Sequence, residues 1–189
     1  MQPVDGTPGE VPGALWVPAN PSNYRERPQH RKKAYDLIVI HITSGRADPY
    51  GPARMWQRPK HGSSAHFVVG QDGRLLQCVP LRYAAFHAHA ANEHSVGIEH
   101  CAREPRELGK DDPGMPPTPQ LYASSAALVA YLLKAAGLPV AHHVTIMGHA
   151  EADKRTTHRG CPDKAPWDWE LYLAMVQNSY EAIGGVDAA

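Results

Sequence analysis

Leu37-Ile38-Val39-Ile40-His41-Ile42-Thr43 is the stretch on which the reading of this chain turns. Four apolar residues in a row, three of them β-branched, fit a strand buried on both faces. The run stops at a histidine, and Thr43-Ser44-Gly45 then turns the chain away. A side chain at the end of a buried strand is held firmly by the sheet yet can reach solvent. Binding groups in open α/β sheets sit at such positions.

Working outward, Ala65–Val69 and Leu75–Val79 read as two further strands. They are separated by Gln71-Asp72-Gly73, which carries the Asp-Gly hairpin signal. Ser95–His100 reads as a fourth strand and Val144–Gly148 as a fifth, ending at a second histidine, His149. Pro52–Trp56 suits a short helix. Thr118-Pro119 opens a longer one, with a capping hydroxyl and proline at the first position, and Gly137 and Pro139 close it. From Asp168, the residues Trp169, Tyr172, Leu173, Val176 and Tyr180 form one helical face. Segments 103–117 and 150–166 are polar and read as loops. Strands and helices alternate irregularly, so the expected fold class is α/β: a single domain with a central mixed β-sheet flanked by helices. The expected divisions are an irregular proline-rich arm over 1–30, which holds six of the 18 prolines, a main folded domain over 31–182, and a loose tail over 183–189.

The 189 residues suit one domain, and 19 basic against 19 acidic side chains leave no net charge. That balance gives no footprint of a nucleic-acid binder, and no apolar run approaches the ~18 residues of a membrane span. Three cysteines, Cys78, Cys101 and Cys161, cannot all pair within the chain. Cys78 and Cys101 read as inert buried thiols. The N-terminus shows no basic start followed by an apolar run, so synthesis in the cytoplasm without a secretion signal is expected.

Cys161 lies twelve residues after His149 in Arg159-Gly160-Cys161-Pro162. With His41 it completes a set of two imidazoles and one thiolate. Such a set suits Zn2+ and leaves the fourth tetrahedral position to water, as catalytic zinc sites require. By spacing alone, a satisfied strand-end histidine is as good a reading of His41 and of His149.

The surrounding motifs shift that balance. Ile38-Val-Ile-His41-Ile-Thr43 resembles the first ligand segment of the zinc-dependent N-acetylmuramoyl-L-alanine amidases, the type-2 family that includes T7-type lysozymes and peptidoglycan recognition proteins. Ser64-Ala-His-Phe-Val-Val-Gly-Gln-Asp-Gly73, Ala85-Phe-His87-Ala88, Ser95-Val-Gly-Ile-Glu99, Met147-Gly-His149 and Cys161-Pro162 resemble further family segments, in the family's order. The resemblance runs from about Asp36 to Leu173. It implies an amidase/peptidoglycan recognition protein-like fold, with Zn2+ as the cofactor and His41, His149 and Cys161 as metal ligands. It implies Glu99 as the carboxylate that handles protons beside the metal. It places Arg159, where the family usually has lysine, as the cation facing the developing oxyanion. His66 and His87 are expected to line the substrate cleft. The implied reaction is hydrolysis of the amide between N-acetylmuramic acid and L-alanine, in an endolysin-like enzyme acting on the cell wall after release by lysis. A cytosolic muropeptide-recycling amidase and a non-catalytic peptidoglycan-binding module are the alternatives. The expected partner is peptidoglycan or a muropeptide, with no nucleic acid and no membrane, and the chain is expected to be a monomer. Besides arginine at 159, the chain departs from the family's pattern at two further positions. Some branches carry tyrosine where Ala65 stands, and a glycine usually follows Cys-Pro where Asp163 stands.

Overall fold

The computed structural model describes residues 7–28, 33–105 and 113–184. A six-stranded sheet forms the centre. Its members are β1 (Ala14–Trp16), β3 (Leu37–Ile42), β4 (Phe67–Val69), β5 (Leu75–Gln77), β7 (Ser95–His100) and β8 (Ile146–Gly148), in the spatial order β1-β5-β4-β7-β3-β8. The sheet is mixed: β4 and β5 are an antiparallel hairpin, and the other neighbours run parallel. The hairpin turn is the expected one, with Gly73 at φ 79°, a conformation glycine adopts without a Cβ penalty. A separate pair, β2 (Tyr24–Glu26) with β6 (Tyr83–Ala85), is antiparallel.

Every residue of β3 is buried, as its apolar run requires. Because strand side chains alternate, its two faces diverge. Ile38, Ile40 and Ile42, with Val96 and Ile98 of β7, pack in the main core beside Leu121, Leu128, Leu132, Tyr172 and Val176. Those residues come from α2 (Pro119–Ala136) and α4 (Trp169–Gly184); the short helix expected at 52–56 is α1 (Tyr50–Trp56). α2 starts where expected: Thr118 Oγ1 accepts from Leu121 N–H at 3.1 Å, and Gly137 ends it in the left-handed region. On the opposite face, Leu37 and Val39 meet Ala91, within a short 3-10 turn over His89–Glu93, and Ala88, which precedes that turn.

The arm differs from the expectation of an irregular segment. Within 7–28 it supplies β1 at the sheet edge and β2, and it buries Val11, Trp16 and Val17. Arg27 pins it from inside by donating to the carbonyls of Leu81, Asn92 and Ser95. Pro12, Pro18, Pro21 and Pro28 punctuate this segment, and its strands form by pairing with partners far along the chain. The segment read as a loop over 150–166 begins with a short helix, α3 (His149–Ala152). Of the loop read over 103–117, Arg103 and Met115 form an isolated bridge, while 106–112 lie outside the described residues. The same holds for 1–6, 29–32 and 185–189; α4 runs on to Gly184, so the tail read from 183 begins inside a helix. Among the described residues, no helix is long and apolar enough to cross a membrane.

Candidate active site

β3 and β7 run parallel with His41 opposite Glu99. β8 lies on the other side of β3 and ends at Gly148, so His149 emerges beside His41, with ring centroids 4.4 Å apart. The third element is a loop. Ala150 N–H donates to the Cys161 carbonyl at 3.1 Å, and Ile42 N–H points at Cys161 Sγ at 3.3 Å. Gly148 permits this approach, because a Cβ there would sit 2.8 Å from Pro162 Cδ. Residues from positions 41, 149 and 161 thereby converge, and one ligand atom from each lies within 4.8 Å of the others.

Burial tunes these groups. His41 is held well below the ordinary histidine pKa by desolvation and then by the neighbouring His87 and His149. His149 is lowered by desolvation and His158, partly opposed by Asp153. Both rings are therefore neutral at pH 7, the form that ligates metal. Asp153 Oδ2 lies 3.7 Å from His149 Nε2, an electrostatic neighbour rather than a hydrogen bond, and 2.5 Å from His89 Nδ1. Burial pushes the Cys161 thiol up, and the nearby Glu99 adds to that. Desolvation raises Glu99 to about 7, and its Oε2 is buried with no hydrogen-bond partner. A buried carboxylate oxygen without a partner, beside two neutral imidazoles and a thiol, is the environment a bound cation and its water would satisfy. The donor set therefore fits Zn2+.

A cleft of about 890 Å³ opens over this group, lined among others by His41, His87, Glu99, His149, Arg155, His158, Cys161 and Lys164. His87 thus reaches the cleft, with Nδ1 3.0 Å from His41 Nε2; desolvation, followed by neighbouring histidines and Arg27, keeps its ring neutral. His66 does not reach it. Its ring is fully buried, Gly97 N–H donates to Nδ1 at 3.1 Å, and Nε2 donates to the Tyr83 carbonyl at 3.0 Å. Desolvation and the Arg27 guanidinium push its pKa to about 3. Arg159 is exposed and is not among the cleft-lining residues, whereas Arg155 and Lys164 of the same loop are. Sequence reasoning missed both cations, as well as His89, and gave Asp153, the end of the second ligand segment, no role of its own. Their signal was only that they share the third-ligand loop or the aromatic-His-Ala segment. His142, His143 and Glu151 form a second cluster of possible ligand atoms nearby, with His142 and His143 stacked and His143 bonded to Glu151 at 2.9 Å.

Fold and donor set together define a class. This is a single-domain mixed α/β protein with an open two-histidine, one-cysteine donor set and a buried carboxylate at the ends of its central strands. A family described as N-acetylmuramoyl-L-alanine amidase matches residues 31–164, a span that contains all three donors and Glu99. The chain belongs to that family. It is 32% identical over 92 residues to N-acetylmuramoyl-L-alanine amidase A of Achromobacter lyticus, a match covering 48% of each protein, so the chain spans about half the length of that curated relative. Among solved structures, a selenomethionine derivative of AmpD superposes with a TM-score of 0.64 at 23% identity, covering 93% of this chain and 99% of that one. Staphylococcus aureus hydrolase AmiA, in complex with its ligand, gives 0.64 at 16% identity, covering 85% and 83%. A mutant endolysin from Bacillus subtilis gives 0.56 at 23% identity, covering 80% and 96%. At these identities the structural likenesses establish the fold.

Proposed function

We propose that this chain hydrolyses the amide between the lactyl group of N-acetylmuramic acid and L-alanine in peptidoglycan, with Zn2+ held by His41, His149 and Cys161. The observation that carries the reading is the convergence of those three buried donors beside the partnerless Glu99 oxygen, under an open cleft. A zinc ion held there would supply Lewis acidity at the scissile carbonyl and lower the pKa of water. Glu99 accepts the proton of the attacking water and returns it to the departing nitrogen. Its pKa near 7, set by burial, suits both transfers. The developing oxyanion needs a fixed cation. Lys164, three residues beyond Cys161 and on the cleft wall, takes the role that the resemblance gave to Arg159. His87 acts behind His41, and His66 braces the sheet.

A binding module without catalysis would not need Cys161 beside the two histidines, so its presence favours turnover. Intact wall is the proposed substrate, in a lytic enzyme of the endolysin kind. Purified peptidoglycan incubated with the protein should release stem peptides with L-alanine at their N-termini, detected by mass spectrometry. Release of reducing sugars instead, or of nothing while the protein stays on the sacculi, would overturn the reading.

A further inference from the structure

Behind His41 runs a chain of polar groups whose hydrogens can be assigned one after another. Ser95 Oγ lies 2.6 Å from the carbonyl oxygen of Ala91. Two acceptors approach that closely only with a proton between them, so the hydroxyl hydrogen is committed to Ala91. The other neighbour of Ser95 Oγ is His87 Nε2 at 3.1 Å. With the hydroxyl hydrogen used, the oxygen can only accept, so Nε2 of His87 carries a hydrogen and donates it. In a neutral imidazole the other nitrogen is then the acceptor. That atom, His87 Nδ1, lies 3.0 Å from His41 Nε2, so His41 donates from Nε2. The lone pair of His41 is thereby left on Nδ1.

The His87 ring has a built seat. A Cβ on Gly97 would stand 2.5 Å from His87 Cγ and 2.6 Å from Nδ1, so the ring lies directly on the Gly97 backbone. Gly97 follows Ser95 by two residues and precedes Glu99 by two, so all three share one face of β7. Asn92 Oδ1 fixes the backbone beneath by accepting from His87 N–H at 2.9 Å and Ala88 N–H at 2.6 Å.

We propose that Ser95, His87 and Gly97 form a positioning relay that locks His41 in its Nε2–H tautomer and so presents Nδ1 as the metal ligand. The relay rests on the reading of His41 as a ligand. It gives separate duties to alternate residues of Ser95-Val-Gly97-Ile-Glu99: hydrogen-bond anchor, ring seat and proton carrier. Ligating histidines tied through the other ring nitrogen in this way hold metal more tightly, typically by 10–100-fold.

The test has two readouts on the full-length chain. Nitrogen-15 spectra of the metal-free protein should show His41 with a protonated Nε2 and an unprotonated Nδ1. In Ser95→Ala the two tautomers should mix, and zinc affinity, measured by competition with a chromophoric chelator, should fall about 10–100-fold. Ser95→Thr keeps the hydroxyl and should recover most of the loss. Gly97→Ala, which unseats the ring, should weaken zinc in the same way. A wild-type His41 protonated on Nδ1, or a Ser95→Ala variant with unchanged tautomer and unchanged zinc affinity, overturns the relay. Absence of zinc binding in the wild type would instead count against the metal reading, and the tautomer spectrum alone would then decide the relay.

Discussion

Two buried histidines, on opposite faces of the same sheet, have opposite fates. His100, on the β7 face that meets α2 and α4, has both nitrogens occupied: Nδ1 donates to the His41 carbonyl at 2.8 Å, and Nε2 meets Ser125 Oγ at 2.6 Å. Ser125 continues to Tyr172 at 2.7 Å, and the ring packs edge-on against Trp167. His41, directed to the other face, has Nε2 spoken for by His87 and Nδ1 without a hydrogen-bond partner among the described residues, and a nitrogen of its ring lies within 4.8 Å of donor atoms of His149 and Cys161. Burial and residue type are the same in both. What separates a structural histidine from a candidate ligand is whether the fold has used up its second nitrogen.

That contrast can be broken most severely at Cys161. Cys161→Ser replaces a thiolate donor by a neutral hydroxyl and should lose both zinc and activity, as read by elemental analysis and peptide release. Retention of stoichiometric zinc would show that the loop does not supply the third ligand. Next comes Glu99→Gln, which preserves shape and removes the proton acceptor. Zinc should stay while kcat falls by roughly 10²–10⁴-fold. The base form of Glu99 exists above its pKa, which burial sets at about 7 and a bound cation would lower. The acid limb of kcat should therefore lie at or below about pH 7, with the rate lost as pH falls, and should vanish in the residual activity of Glu99→Gln.

A smaller effect separates the loop cations. Lys164→Ala should lower kcat by about 10²–10³-fold with zinc retained, the usual size for one oxyanion partner. Arg159→Ala should change kcat by less than about twofold, since surface substitutions away from a site do little. The reverse outcome would return the role to Arg159.

The smallest effect is on the structural side and is one of stability. His100 is lowered to about 4 by desolvation, opposed by its bond to the His41 carbonyl, and His66 to about 3. Both stay neutral in the fold while the unfolded chain takes up protons below about pH 6.5, so the unfolded state binds more protons and stability rises with pH in that window. Their contribution is complete above about 6.5. It is lost as pH falls toward 4, at about 1.4 kcal/mol per pH unit for each proton. Urea midpoints between pH 7 and 5 should show this slope. His100→Gln, which cannot titrate, should flatten it by one proton while leaving zinc in place.

The contrast also marks what the sequence could reveal. β3 was readable because its apolar run is continuous, and α2 because Thr118, Pro119 and Gly137 are local signals that act within a turn of themselves. The three candidate donors were readable because they terminate strands or sit in motifs of recognisable order. β1, β2 and β6 were not: the equally short β4 and β5 are marked by the Asp-Gly turn between them and β8 by the strand-end His149, whereas β1, β2 and β6 carry no such local mark and form by pairing with distant partners. Spacing placed Arg159 near Cys161 along the chain but could not say which way its side chain turns. Nor could it separate His66 from His87, because the difference lies in Gly97: its N–H caps one ring while its bare Cα seats the other.

In the proposed mechanism, amide hydrolysis depends on a metal at the His41, His149 and Cys161 site. The direct measurement is the rate of L-alanine N-terminus release from purified peptidoglycan after chelation, followed by zinc added back in steps. Activity should vanish with the chelator and return in proportion to zinc up to one equivalent per chain. Undiminished release from metal-free protein would contradict the site.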